Sequence, residues 1–182
     1  MPAGAGAPSL SLDTVNRLDR EAFRRALGGV FEHAPWIVER AWLARPFASV
    51  AALHRAMCDV VRQATFDERR TLIAGHPDLA GKAARAGTMT ASSVAEQAAA
   101  ALDRLSDEEF DRFDRLNRAY RERFAFPFVI AVRQHDKTSI LAAFERRLGH
   151  TVDEEIAEAL GQIFEITRLR LEGLVGAGDE ST

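Results

Sequence analysis

Four times along this chain a Ser or Thr is followed three residues later by Glu: Thr65 and Glu68, Ser93 and Glu96, Ser106 and Glu109, Thr151 and Glu154. In such a box the hydroxyl accepts the N–H of the third helical residue while the carboxylate reaches back to the cap's own N–H. Two of the four donors that a helix start leaves unpaired are thereby satisfied. Repetition of the signal predicts an all-α fold, a single-domain bundle of short and medium helices with a long C-terminal helix. At 182 residues the chain can bury one compact core without disulfides or a structural metal.

The apolar spacing fills in the helices. Asp19 caps a segment from Arg20 to Leu27, with Phe23 and Leu27 on one face and Gly28-Gly29 as the break. Pro35 opens the next, where Trp36, Arg40 and Leu43 share a side before the stop at Pro46. Its two tryptophans suit either a core or a pocket wall. Ser49 caps a helix whose stripe is Val50, Leu53, Met57, Val60 and Ala64, with Cys58 as a small buried neighbour. From Ser106 the face Phe110, Phe113, Leu116 or Asn117, Tyr120 and Phe124 runs to a corner at Phe126-Pro127-Phe128. Val129 to Val132 lacks a partner strand pattern and reads as extended or helical buried backbone. Asp136 caps a helix carrying Ile140, Phe144 and Leu148 to Gly149. The last helix carries Ile156, Leu160, Ile163, Thr167 and Leu174, and the missing step falls on Arg170. Residues 1–11 read as a disordered arm, 12–176 as the helical domain and 177–182 as a tail.

Charge and motif content narrow the function. A formal net charge of −3 lacks the basic excess of a nucleic-acid surface. No apolar run approaches the roughly 20 residues that cross a bilayer, so no membrane role is expected. One cysteine forms no internal bridge, and no secretory or peroxisomal signal is visible, which predicts a cytoplasmic protein. The five histidines have no metal-ligand spacing, and the nucleotide, dinucleotide and nucleophile-elbow motifs are missing. The expectation is chemistry on a small molecule with neither metal nor cofactor.

Polar chemistry concentrates at Gly75-His76-Pro77-Asp78-Leu79-Ala80-Gly81. A helix from Thr65 stops at Gly75, read as a left-handed C′ residue, and Pro77 stiffens the corner that carries an exposed-looking His76. His76 is either a positioned base or an ordinary loop residue. The Gly- and Ala-rich passage through Gly87 could wrap a ligand or serve as a plain loop. Glu96 is either a functional carboxylate or the closing group of a cap that starts at Ser93. Arg170 either snorkels to water or meets a buried anion.

Taken in order, Phe31-Glu32-His33-Ala34-Pro35-Trp36-Ile37, His76-Pro77-Asp78-Leu79-Ala80-Gly81, Ser93-x-x-Glu96-Gln97, Leu116-Asn117-x-x-Tyr120, Phe126-Pro127-Phe128-Val129-Ile130 and Arg168-Leu169-Arg170-Leu171 resemble the 2-oxo-4-hydroxy-4-carboxy-5-ureidoimidazoline (OHCU) decarboxylases. The similarity runs from about Leu18 to Val175. It implies an all-α homodimer of urate catabolism that makes (S)-allantoin and CO2 without a cofactor. It also implies His76 and Glu96 as catalytic residues. Pro77, Ser93, Glu96, Gln97, Phe128, Val129, Ile130, Ala131, Val132 and Arg170 are implied as substrate contacts. The rival readings are a non-catalytic helical module that binds a ureido or imidazoline heterocycle, and a decarboxylase of a related substrate.

Overall fold

The computed structural model describes residues 10–80 and 89–176. The chain is a mostly helical single domain, and its residues gather into two compact units, up to Ala64 together with Thr167 onward, and Thr65–Ile166. Of the expected arm and tail, residues 1–9 and 177–182 lie outside the described residues, as does the Gly- and Ala-rich passage over 81–88. Among the described residues no helix is long and apolar enough to cross a membrane.

In the first unit, Leu10–Ser11 (β1) pairs in parallel with Val175–Gly176 (β2), Leu10 opposite Val175. Leu10 and Ser11, which the expected arm included, have ladder partners. Ser11 also caps α1 (Leu12–Arg17), a helix the apolar spacing did not announce. Asp19 caps α2 (Arg20–Leu27) by accepting from the Ala22 N–H at 2.8 Å. Pro35 opens α3 (Pro35–Ala41), which tightens into a 3-10 turn over Trp42–Ala44. Both tryptophans are half-buried under cations, Arg40 over Trp36 at 4.5 Å and Arg45 over Trp42 at 3.9 Å. Ser49 caps α4 (Val50–Gln63), which buries Leu53, Met57, Cys58 and Val61. Val61 takes the seat assigned to Val60, which is half-buried. His54 stands one turn before Cys58, with Nε2 3.5 Å from its Sγ and 3.0 Å from Thr167 Oγ1.

In the second unit the Thr65 box closes α5 (Phe66–Ala74) as expected. Gly75 ends it in right-handed geometry, at φ −72° and ψ −12°. The left-handed residue of this stretch is Ala80, at φ 51°. The next cap is Thr90, not Ser93: α6 (Ala91–Ala99) starts with the Thr90 hydroxyl accepting the Ser93 N–H at 3.3 Å. Ser93 is the buried third residue of that helix. Ser106 and Glu109 box α7 (Asp107–Phe124), whose buried face is Phe113, Asn117, Tyr120 and Phe124. Asn117 thus holds the seat shared in expectation with Leu116.

A left-handed Ala125, at φ 60°, turns the chain into Phe126 to Ala131, a buried segment without regular structure that ends in a 3-10 turn over Val132–Gln134. Asp136 caps α8 (Lys137–Arg147). Thr151 and Glu154 exchange the box bonds at the start of α9 (Val152–Leu174), which runs through to the first unit's residues. Its stripe closes on Leu171 and not on Leu174, which is 40% exposed. The core here is aromatic. The Tyr120 ring lies 4.7 to 6.1 Å from Phe124, Phe126, Phe128 and Phe144, mostly edge to face.

Candidate active site

His76 is buried, at 6% exposure, where the sequence suggested an exposed corner. The end of α5 puts its Nδ1 3.0 Å from the carbonyl of Leu72, one turn back. A carbonyl only accepts, so Nδ1 carries the proton in that bond and Nε2 is left as the nitrogen that can take or give one. The helix stop therefore fixes both the tautomer and the ring direction.

Three side chains tie the corner, two through its backbone and one through the Asp78 carboxylate. Gln97 accepts from the Ala80 N–H at 2.9 Å and donates to the Asp78 carbonyl at 3.3 Å and the Met89 sulfur at 3.4 Å. Asn117 donates to the Leu79 carbonyl at 2.8 Å. Arg121 reaches the Asp78 carboxylate at 2.9 and 3.2 Å. Gln97 is on α6 and the other two are on α7, so two capped helices hold the loop that follows His76. Pro77 between them is half-buried.

Glu96 precedes Gln97 on the half-buried side of α6. Because Thr90 is the cap, Glu96 is six residues into the helix and does not close a capping box. That removes the capping role the sequence offered for its carboxylate. α6 also packs against the 3-10 turn at Val132, which brings Ser93, Glu96 and Gln97 into one neighbourhood with the buried segment Phe128 to Val132.

That segment has a divided hydrogen-bond inventory. The Val129 carbonyl accepts from Arg147 at 2.8 Å, and the Ala131 N–H donates to Gln162 at 3.0 Å. The Ala131 and Val132 carbonyls close the 3-10 turn on Gln134 and His135. Among the described residues, both polar groups of Phe128 and of Ile130 and the N–H groups of Val129 and Val132 have no partner. Each of these residues is at most 4% exposed. Buried backbone groups are rarely left unpaired, so they mark a place for a polar ligand.

Arg170 belongs to the first unit. It is 9% exposed, donates to Glu32 at 2.9 Å and lies 3.4 Å from the Val30 carbonyl. The inward cation thus meets a buried anion, the second of its two readings. A cavity of about 210 Å³ lies on the flank of α6, between Met89, Val94, Ala98, Leu102 and Phe110. It is largely apolar, and neither His76 nor the Phe128 to Val132 segment lines it.

The sequence analysis missed Arg121, Arg147, Glu155 and Gln162. For Arg147 and Glu155 one signal existed: Tyr120 is the chain's only tyrosine and lies on a phenylalanine face, and a hydroxyl buried there needs a partner. Burial and the adjoining Glu155 push that phenol well above its usual range, so it stays a neutral donor.

A histidine locked in one tautomer, a half-buried carboxylate and a backbone edge with open polar groups, all on one helical scaffold, define the class: an acid–base site for a small polar molecule. Comparison with known proteins gives the family. The profile of the OHCU decarboxylases matches residues 16–172. The chain is 45% identical over 162 residues to the 2-oxo-4-hydroxy-4-carboxy-5-ureidoimidazoline decarboxylase of Haloferax volcanii, covering 89% of this chain and 94% of that one. It is 38% identical over 165 residues to the enzyme of the same name from Halalkalicoccus jeotgali, covering 91% and 92%. A crystal structure of (S)-allantoin synthase superposes with a TM-score of 0.70 at 27% identity, over 91% of this chain and 54% of that one. The chain belongs to the OHCU decarboxylase family.

Proposed function

We propose that this protein decarboxylates OHCU to (S)-allantoin and CO2 in urate degradation, without a cofactor. By its name the substrate carries a carboxylate and a hydroxyl on one ring carbon, next to the carbon that bears the ureido group. When the carboxylate leaves as CO2, its bonding pair forms a C=C bond to the ureido carbon and the adjacent C=N opens onto its nitrogen, which takes a proton. The hydroxyl then gives up its proton to become a ring carbonyl, and the C=C pair takes a proton at the ureido carbon. The substrate's own unsaturation is the electron sink, so the protein's task is to move protons, one off the hydroxyl and one each onto the ring nitrogen and the ureido carbon.

His76 Nε2 is the atom for that task, and its locked tautomer is the observation that carries this reading. Delivery from one face of the ring sets a single configuration in the product. Glu96 orients the imidazole and stabilises its charged form. Ser93, Pro77 and the Phe128 to Val132 backbone hold the ring, with the Val129 and Ile130 groups paired to its amide-like edges. Gln97 serves first by shaping the corner. Arg170 as a substrate contact rests on the family resemblance, and its ion pair with Glu32 is compatible with a structural role as well.

Glu96→Gln tests the carboxylate. Turnover of freshly made OHCU should fall about 100-fold or more, with an unchanged melting temperature because Thr90 keeps the cap. Wild-type turnover in this variant would remove Glu96 from the chemistry. The protein is further proposed to be a cytoplasmic homodimer, as the family resemblance implies. Apolar residues such as Phe66 and Val94 are 47% and 44% exposed and suit coverage by a second copy. Light scattering at micromolar concentration should give twice the chain mass, and a monomer mass would contradict the dimer.

A further inference from the structure

Arg147 is the largest fully buried side chain among the described residues, at 0% exposure, although it closes α8 at a position where a basic residue ordinarily reaches water. Its Nε and Nη2 donate to one oxygen of Glu155 at 2.9 and 2.5 Å. Its guanidinium lies 4.3 Å over the Phe128 ring. Its Nη1 donates to the Val129 carbonyl. Glu155, also 0% exposed, further accepts from the Tyr120 hydroxyl and from His150 Nδ1 at 2.9 Å. Burying an ion pair like this one seldom adds net stability over apolar residues of the same volume. What it does supply is direction.

The Val129–Ile130 and Ile130–Ala131 peptides are trans, and in a trans peptide the C=O and the following N–H point in opposite directions. Drawing the Val129 carbonyl toward Arg147 therefore turns the Ile130 N–H away from it. By the same rule, the bond from the Ala131 N–H to Gln162 turns the Ile130 carbonyl away from Gln162. Two internal bonds, one on each side, fix the two peptide planes that flank Ile130. They leave one residue with a donor and an acceptor that meet no partner among the described residues. Together, the Ile130 N–H and C=O offer the donor and the acceptor that the cyclic amide edge of a ureide ring, N–H next to C=O, would take.

We propose that Arg147, held by Glu155 and Tyr120, and Gln162 are positioning residues that aim the Ile130 N–H and C=O at the cyclic amide edge of the substrate. The proposal deepens the decarboxylase reading and rests on it for the identity of the ring. Gln162 is the cleaner handle, since it is half-buried beside an open cleft between α8 and α9, where substitution disturbs no core.

The test uses the full-length wild type, Gln162→Met, Gln162→Glu and Arg147→Lys. OHCU kinetics and calorimetric titration with (S)-allantoin are both recorded, beside a thermal melt. Gln162→Met removes the acceptor for Ala131. It should raise KM for OHCU and Kd for allantoin about tenfold, with kcat within about threefold, because a contact made equally in ground and transition states is lost. Gln162→Glu keeps the acceptor and should bring both constants back to within about threefold of wild type. Arg147→Lys keeps the charge beside Glu155 but loses the fork, and should repeat the KM effect with a lower melt. If it does not fold, Gln162→Met and its rescue decide alone. A purely structural role would lower kcat with the folded fraction and leave KM and Kd unmoved, and that result overturns the proposal. Wild type that binds allantoin but leaves OHCU to decay at the buffer rate overturns the decarboxylase reading, while the Kd series still judges the positioning. Wild type that binds neither overturns both.

Discussion

Replacing His76 by Asn should cut OHCU turnover about 10²- to 10⁴-fold, the loss typical of a removed general acid–base group, while the protein keeps its fold. The buried imidazole is held through Nδ1 by the carbonyl of Leu72. The Asn amide is a donor of similar reach, so the change should cost on the order of 1 kcal/mol, the usual net value of a hydrogen bond. For a domain of this size that is a fall of about 2–4 °C in melting temperature. Binding of (S)-allantoin should survive in weakened form, because the Val129 and Ile130 backbone groups are unchanged. Turnover is read on freshly made OHCU and stability on the same sample. Full activity in His76→Asn would move the proton chemistry away from this corner.

The second large effect is on stability. Glu155→Ala should lower it by about 3–5 kcal/mol, the cost of leaving one partner of a buried pair uncompensated, and the melting temperature by about 10 °C or more. The carboxylate accepts from Arg147, Tyr120 and His150 at once, so one truncation strands three donors. Changing both members of the pair, Arg147→Met with Glu155→Leu, should recover the part of that loss due to the stranded guanidinium, and not the part due to the Tyr120 hydroxyl and His150, which still lack their acceptor. It should not recover the KM for OHCU, because the donor to the Val129 carbonyl is gone. Equal melts for wild type and Glu155→Ala would contradict the network. Tyr120 adds a pH dependence. Its phenol is raised above its ordinary value of 10.0 in the folded state, so the folded protein holds that proton where the unfolded chain releases it. The contribution is constant below about pH 10 and declines as pH rises beyond it.

The sequence made the helices legible because capping and periodicity are local. Ser106 with Glu109, Thr151 with Glu154 and Asp136 each start the helix they announce. Ser93 does not, although its pattern is the same. Thr90 carries an equivalent hydroxyl one turn earlier, and the burial of Ser93 at 5% decides between them. Tertiary packing is a term that no local pattern contains. Leu174 and Val60 were misplaced for a related reason, since a neighbouring apolar residue, Leu171 or Val61, satisfies the stripe equally well until the partner surface is known.

His76, Gln97 and the Phe128 to Val132 segment stood out as a corner, a helix turn and an apolar run, and the fold brings them together in one unit. What could not be read was burial. His76 looked exposed because Pro77 and Asp78 are turn residues, yet the loop is pulled inward by Gln97, Asn117 and Arg121, which are 17 to 43 positions away in sequence from the residues they hold. Arg147 and Glu155 read as ordinary helix-end charges, and only the aromatic cluster around Tyr120 makes them interior.

The central claim is that the protein, and not spontaneous decay, sets the configuration of the product. Circular dichroism of OHCU, generated in place from urate and left to react with and without the protein, tests it most directly. Spontaneous decay gives racemic allantoin and no final signal. The account predicts that wild-type protein shortens the decay and leaves the full signal of (S)-allantoin, and that His76→Asn abolishes both effects. A racemic product formed at the buffer rate in the presence of wild-type protein would contradict it.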